Sequence, residues 1–150
     1  RAASVSCQRA GVRKAMLHFT NHSIATSDMW GEEPSLYRGR FFEASKESIR
    51  RCVVKRESEG QYDVRGGGGN RYFGAYQMSD ALADGATQLM LKEHKKILGK
   101  TTARSLMKQL RATPPNAWPR YWQDAAFSTV YNWELPDSGA RHWAGGRWHC

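Results

Sequence analysis

A run of four glycines, Gly66–Gly69, divides two stretches of the chain that have the spacing of helices. Before the run, apolar residues recur at i, i+3 and i+4, which predicts a helix from a Ser45 cap to about Ser58, with Gly60 as its terminator. These apolar residues are Ile49, Cys52 and Val53. Because glycine favours turns and weakens helices, residues 61–73 are predicted to form a small β-hairpin or a Gly-rich loop.

Further helices are predicted after the glycine run, so the fold class is mainly α with a minor β component (α+β). Their expected bounds are about 79–98, 101–112 and 118–133. Ser79 or Asp80 is expected to begin the first, and a break is expected near Gly85 inside it. The tail from Glu134 is rich in Gly and Trp and is expected to be a loop.

At 150 residues, the chain is expected to form one domain. Residues 45–150 are assigned to it, and residues 1–44 form an unassigned segment expected to pack on the domain or lead into it. Weak helical spacing is present over 8–20. No run of about 18 apolar residues exists, so no membrane span is expected. The chain begins without Met or a signal-peptide pattern, and residue 1 is interpreted as a processed end.

Basic residues exceed acidic ones, with 23 Lys and Arg against 14 Asp and Glu and a formal net charge of +9. This excess predicts an anionic partner, such as nucleic acid, anionic lipid or bacterial cell-wall polymers. The basic residues lie in scattered pairs and form no tract of roughly 5–8 residues, which makes a dedicated nucleic-acid-binding arm the weaker interpretation.

The three cysteines, Cys7, Cys52 and Cys150, have no CxxC or His/Cys spacing, so no metal site is expected. A terminal cysteine can fasten a tail, and a Cys52–Cys150 bridge would close a loop of about 100 residues and stabilise the fold by ~2–4 kcal/mol. Such a bridge implies an oxidising, extracytoplasmic setting and leaves Cys7 free or paired with another chain. The alternative is three reduced thiols in a cytosolic protein.

Glu57 is the carboxylate that the sequence places best for chemistry. It follows Val53 by four residues, so it borders the apolar stripe of its helix in the last turn. Burial and the negative end of the helix dipole both favour a neutral acid that can donate a proton to a leaving oxygen. The charges of Lys55 and Arg56 oppose this if they turn toward Glu57. The plainer interpretation is a surface glutamate at a helix end.

Two short motifs resemble those of a known superfamily. Glu57-Ser58, followed after a spacer by Gly74-Ala75-Tyr76-Gln77, resembles the signature of lysozyme-like lytic transglycosylases, closest to the actinobacterial transglycosylase-like group related to resuscitation-promoting factors. The Gln123–Trp133 stretch and the closing Trp143–Cys150 segment are also similar, so the resemblance covers residues 45–150. Departures from the family pattern are Glu59, the Gly66–Gly69 run and the 80–115 segment.

The resemblance implies a lysozyme-like helical domain with a small β-hairpin or Gly-rich loop beside an active-site groove. It also implies cleavage of the β-1,4 bond between N-acetylmuramic acid and N-acetylglucosamine in bacterial peptidoglycan, an extracellular or cell-wall location and no cofactor. Glu57 would be the general acid and then the base. The substrate-binding residues that it implies are Gln77, Tyr76, Tyr62 and Ser58.

Several alternatives stay open. A lytic transglycosylase needs one protein carboxylate, whereas a two-carboxylate hydrolase needs a second one about 5–9.5 Å from the first. The candidates for that second group are Glu59, Asp63 and Asp80. A catalytically inactive peptidoglycan-binding module, a basic nucleic-acid-binding protein and a component of a larger secreted or virion assembly are also compatible with the sequence.

The tryptophans and histidines near the end of the chain have simpler interpretations. Trp122 and Trp133 have core spacing, whereas Trp143 and Trp148 either anchor the tail or line a cleft. The histidines do not cluster at metal-ligand spacing, and the last two are expected to be exposed. These two are His142 and His149.

Overall fold

The structure, a computed structural model, describes residue 27, residues 29–145 and residues 148–150. In that part of the chain, four α-helices and one two-stranded antiparallel sheet form the fold, which confirms the mainly α prediction. The helices are α1 (Glu47–Ser58), α2 (Asp80–Leu98), α3 (Lys100–Arg111) and α4 (Arg120–Tyr131). The strands are β1 (Arg65–Gly66) and β2 (Tyr72–Phe73). The helical spacing noted over 8–20 lies outside the described residues.

Helix α4 is the centre of the core, because every residue from Arg120 to Tyr131 is buried. Helix α2 packs against both α3 and α4. Trp122 is fully buried, as its spacing predicted. Trp133 lies just beyond the end of α4, half-buried at the edge of the core, where it stacks on Phe41 at a centroid distance of 5.0 Å.

The predicted break near Gly85 is wrong, because α2 runs without interruption from Asp80 to Leu98. Gly85 is exposed, and a Cβ there would meet nothing within 4 Å. The glycine therefore lowers the helix propensity at this position, but no neighbouring residue forces the helix to bend there. The buried face of the helix holds it in place. Ser79 caps it as expected, with its Oγ accepting a hydrogen bond from the Leu82 amide at 3.2 Å.

The ends of the other helices differ from the sequence predictions by a few residues. Helix α1 begins at Glu47 after a single 3₁₀ turn, and no side chain caps it. At its other end the chain reverses at Glu59, which has a left-handed φ of 56°, and continues through Gly60 with a φ of 83°. Helix α3 begins at Lys100, directly after Gly99 and one residue before its expected start.

Part of the segment before residue 45 belongs to the same core. Tyr37 is fully buried, and its hydroxyl donates to Glu93 of α2 at 2.6 Å. The Leu36 amide donates to Asp124 of α4 at 2.9 Å. Leu36 and Tyr37 thus pack on the domain, which is one of the two arrangements expected for the segment before residue 45.

Burial of several tyrosines predicts that stability falls at high pH. Burial raises the pKa of the hydroxyls of Tyr37, Tyr62, Tyr76 and Tyr121, and it raises the pKa of Tyr131 to about 12. The fold favours the neutral form, so this stabilisation is complete below the ordinary tyrosine pKa of about 10 and is lost as the pH rises through the raised values.

We therefore expect the free energy of unfolding, measured by urea titration, to fall above pH ~10 by about 1.4 kcal/mol per pH unit for each such tyrosine. A Tyr37→Phe variant should show a shallower slope, because it has one fewer buried ionisable hydroxyl. An unfolding free energy that is flat from pH ~9 to ~11 would contradict the prediction.

Candidate active site

Glu57 lies in the last turn of α1 with its side chain 24% exposed. Its carboxylate is neither in the core nor out in bulk solvent, as expected for a residue on the border of the apolar stripe. The Nη2 atom of the neighbouring Arg56 donates to its Oε1 at 3.0 Å. Arg56 is therefore turned toward Glu57, an arrangement that the sequence had left open.

Arg56 joins this end of α1 to the C-terminal tail. Its side chain is only 1% exposed. Besides Glu57, it donates from Nη2 to the Trp143 carbonyl at 2.6 Å and from Nη1 to the Trp148 carbonyl at 3.0 Å. The guanidinium is therefore shared among three oxygen atoms, and the tail is held directly beside Glu57.

A disulfide holds the end of the tail to the same helix. Cys52 and Cys150 are bonded through their sulfur atoms, with 5.6 Å between their Cα atoms, and this is the pairing that the position of Cys150 suggested. Cys52 lies inside α1, one turn before Arg56. The covalent link and the Arg56 hydrogen bonds thus act on the same few tail residues.

Removal of this bridge in a Cys52→Ser/Cys150→Ser variant is expected to lower the free energy of unfolding by about 2–4 kcal/mol. The bridge spans 98 residues of sequence, so its loss greatly increases the entropy of the unfolded chain. Urea unfolding without reductant measures the difference. A Cys7→Ser variant is the matched control, since it removes a thiol and keeps the bridge, and equal midpoints for the double variant and wild type would contradict the prediction.

The Gly74–Gln77 block reaches the same region through Trp143. The buried Trp143 indole Nε1 donates to the Tyr76 carbonyl at 2.8 Å, while the Trp143 carbonyl accepts from Arg56. Trp143 therefore anchors the tail, and it links the helix end that carries Glu57 to the block. The two motifs on which the family resemblance rests are thus joined by Arg56 and Trp143.

Gln77 is the only one of the four implied substrate-binding residues with a half-exposed side chain. It adopts a left-handed φ of 48°, and its Nε2 donates to the Gly74 carbonyl at 2.9 Å. Its amide oxygen lies over the hairpin, where a Cβ added to Gly66 would come within 2.7 Å of it. The glycine in β1 therefore lets the Gln77 side chain lie close against the strand.

Tyr62, Tyr76 and Ser58 are buried, which corrects the expectation that their side chains line a groove. The Ser58 hydroxyl donates back to the Val54 carbonyl at 3.0 Å. Both tyrosine hydroxyls donate to Oδ1 of Asp124, Tyr76 at 2.6 Å. Side chains with so little exposed surface offer no face to a glycan, so in this structure these residues support the backbone of the site.

Helix α4 holds the Gly74–Gln77 block in place with two adjacent polar side chains. Gln123 accepts from the Ala75 amide at 2.9 Å and donates to the Tyr62 carbonyl at 3.0 Å. Asp124 is fully buried and accepts from the tyrosine hydroxyls, with the Arg50 and Arg120 guanidiniums at 3.9 and 3.7 Å. This cluster fixes the Gly74–Gln77 block relative to the core.

Sequence reasoning missed the roles of Arg56 and Asp124, although each had a detectable signal. Arg56 follows Val53 by three residues, so it continues the apolar stripe of α1, where a charged residue implies a buried partner. Asp124 similarly interrupts a helix that is otherwise largely apolar or aromatic. Their partners, however, lie too far along the chain for spacing to reveal them.

The candidate second carboxylates are all exposed. Glu59 is in the left-handed turn, Asp63 follows it, and Asp80 is the first residue of α2. His142 and His149 are exposed as expected, and Trp148 is 42% exposed.

Within the described ranges, no group of three or more His, Cys, Asp or Glu side chains is arranged to hold a metal ion. None of the helices in this part of the chain combines the length and the apolar character needed to cross a bilayer. No protein-family model matches the chain, and no curated protein or solved structure matches it either.

Proposed function

We propose that this protein cleaves the β-1,4 bond between N-acetylmuramic acid and N-acetylglucosamine in bacterial peptidoglycan, with Glu57 as its single general acid and base. The observation that carries the proposal is the position of Glu57, half-buried at the end of α1 and joined through Arg56 and Trp143 to the Gly74–Gln77 block. The sequence resemblance of these same two motifs to lytic transglycosylases supports it.

In the proposed reaction, the Glu57 acid gives its proton to the glycosidic oxygen as the bond from that oxygen to C1 of the muramic residue breaks. The C6 hydroxyl of the same residue then attacks C1, and the Glu57 carboxylate takes the hydroxyl proton. The product is a 1,6-anhydro sugar, and the catalyst returns to its starting state. Attack by water in place of the C6 hydroxyl would give hydrolysis instead.

Two features of the structure bear on the proposed role of Glu57. About three quarters of its side chain is shielded from water, and the Arg56 guanidinium lies 3.0 Å from its carboxylate. Arg56 also donates to two tail carbonyls, so its guanidinium is shared among three acceptors. The quarter of the Glu57 side chain that stays exposed is the part that a glycan can reach.

The net charge supports an acidic polymer as the substrate. A formal charge of +9 attracts a glycan that carries peptide carboxylates, and the attraction raises the local concentration of substrate. A disulfide is compatible with work outside the cytoplasm, where peptidoglycan is found.

The test is digestion of purified peptidoglycan by the wild-type protein and by Glu57→Gln, with the masses of the released fragments measured. We expect fragments from the wild type that are one water lighter than hydrolysis products. Fragments with the full mass expected for hydrolysis would instead identify the protein as a hydrolase that uses a second carboxylate or a bound water. If the folded wild type releases no fragments, the proposal fails.

The Arg56–Glu57 ion pair favours one alternative, a peptidoglycan-binding module without activity. If that contact keeps the Glu57 carboxylate away from a bound glycan, Glu57 cannot reach the glycosidic oxygen. In that case the wild type would sediment with insoluble peptidoglycan without cutting it, and Glu57→Gln would bind equally well. Cleavage by the wild type excludes this alternative.

A further inference from the structure

A groove of about 610 Å³ lies along one face of α1. We call it the outer groove; Trp30, Glu32, Ser48, Arg51, Lys55 and Trp148 are among the residues that line it. Along an α-helix each residue advances by about 100°, so Ser48, Arg51 and Lys55 share one face, and Glu57 lies roughly 200° round from Lys55. The outer groove is therefore on a different face of α1 from the candidate catalytic carboxylate.

The Trp30 indole is placed at this groove by a tight turn of the backbone. Gly31 has a φ of +74°, and a Cβ on it would lie 3.0 Å from the Arg51 carbonyl and 3.1 Å from Cγ1 of Val54. Only glycine lets the chain approach α1 so closely. Trp30 itself has a φ of 58°, which is rare for a bulky residue, yet its side chain remains 52% exposed. The turn thus holds a large aromatic ring at the surface in a strained conformation.

Trp148 is placed at the other side of the groove by the tail. Its carbonyl accepts from Nη1 of Arg56 at 3.0 Å, and two residues later Cys150 is bonded to Cys52 of α1. The ring is 42% exposed. Two fixed indoles therefore border one groove, although tryptophan is usually among the most extensively buried side chains.

The groove also carries charge. Arg51 and Lys55 contribute two cations to its lining, against one carboxylate from Glu32. Flat aromatic faces bind the apolar C–H faces of sugar rings, and cations attract acidic groups. The groove combines both features in a volume suited to a small part of a larger ligand.

We propose that the outer groove binds a sugar that carries an anionic group, as part of an acidic glycan, with Trp30 and Trp148 against the ring and Arg51 and Lys55 facing the charge. The inference does not depend on cleavage by Glu57. Two sources share this chemistry: the carboxylates of peptidoglycan itself, and phosphate-bearing polymers attached to it.

Binding of the full chain to insoluble purified peptidoglycan tests the proposal. Every variant is made in the Glu57→Gln background, so that the glycan is not consumed. We expect Trp30→Ala to weaken binding about tenfold, and Arg51→Gln/Lys55→Gln to weaken it by about two- to fivefold while reducing its sensitivity to salt. The matched controls are Leu135→Ala, which removes an exposed apolar side chain elsewhere, and Lys92→Gln, which removes an exposed charge on α2.

Any one of four results would overturn the proposal. The first is unchanged binding by both groove variants, the second is an equal loss in the two controls, and the third is equal binding of the parent protein to neutral chitin. A stronger, Trp30-dependent affinity for single-stranded DNA would also overturn it and assign the groove to nucleic acid. Thermal unfolding of each variant shows whether it is folded, and the two charge substitutions, made on an exposed helix face, test the groove even if Trp30→Ala is unstable.

Peptidoglycan stripped of phosphate-bearing polymers identifies the source of the anionic group. If the protein still binds this stripped peptidoglycan, the anionic group is a peptidoglycan carboxylate. If binding is lost and the intact wall restores it, the anionic group is a phosphate. Cleavage by the wild type together with groove variants that bind normally would refute this inference alone. Specific binding at the groove without any cleavage would refute the proposed function alone.

Discussion

Glu57→Gln is expected to lower the rate of peptidoglycan cleavage by about 10²- to 10⁴-fold, the usual contribution of a positioned acid or base. Glutamine has nearly the same size and can still accept the hydrogen bond that Arg56 donates to Oε1 at 3.0 Å. It can neither supply a proton to the leaving oxygen nor take one from the attacking hydroxyl. Because the side chain is partly exposed, the substitution should leave the thermal midpoint nearly unchanged.

Glu59→Gln is the matched control for this experiment. It makes the same chemical change two residues away, on an exposed side chain in the left-handed turn. If a single carboxylate does the work, Glu59→Gln should cut peptidoglycan at close to the wild-type rate. Release of soluble fragments over time measures both variants. Equal loss in the two variants would point to a pair of carboxylates, and full activity in Glu57→Gln would remove Glu57 from the mechanism.

Asp124→Ala is expected to lower the free energy of unfolding by about 3–5 kcal/mol, because it removes one partner from a buried charged cluster. Asp124 has no exposed surface. Its loss leaves the hydroxyls of Tyr62 and Tyr76 without their shared acceptor, and it removes the negative charge close to Arg50 and Arg120. The total stability of a domain is of order 5–15 kcal/mol, so such a loss puts folding at 37 °C at risk.

Urea unfolding measures this effect, with Asp84→Ala as the control. Asp84 is an exposed acidic residue of α2, so its removal should change the free energy of unfolding by no more than about 0.5 kcal/mol. Asp124→Asn should fall between the two, because it keeps one acceptor oxygen and loses the charge. An Asp124→Ala protein within ~1 kcal/mol of wild type would show that the cluster adds little to stability.

The same cluster connects stability to the candidate site. Asp124 and Gln123 together hold Tyr62, Ala75 and Tyr76 through hydrogen bonds. The Tyr76 carbonyl in turn accepts a hydrogen bond from Trp143. The Trp143 carbonyl accepts one from Arg56, which lies beside Glu57. A folded Asp124 variant should therefore also lose activity. Because this loss of activity comes from displacement of the Gly74–Gln77 block, it should exceed any loss of activity in the Asp84→Ala control.

Local patterns in the sequence predicted most of the secondary structure. Apolar spacing located α1 to α4 to within a few residues, and Ser79 marked the start of α2. The glycine run marked a short hairpin between Arg65 and Phe73. These signals are reliable because helix periodicity, caps and turns depend on residues only a few positions apart. The break expected at Gly85 failed because burial of the opposite helix face outweighs the low helix propensity of one exposed glycine.

The sequence by itself determined a mainly helical chain with Glu57 at a helix end, and it suggested the Cys52–Cys150 pairing without excluding reduced thiols. Only the tertiary structure decided which polar side chains are buried and what they bind. Tyr76 became a support rather than a groove residue because its acceptor, Asp124, is 48 positions away. Arg56 meets the tail across 92 positions. Spacing along a chain cannot reveal such pairs, because they form only when the whole core has packed.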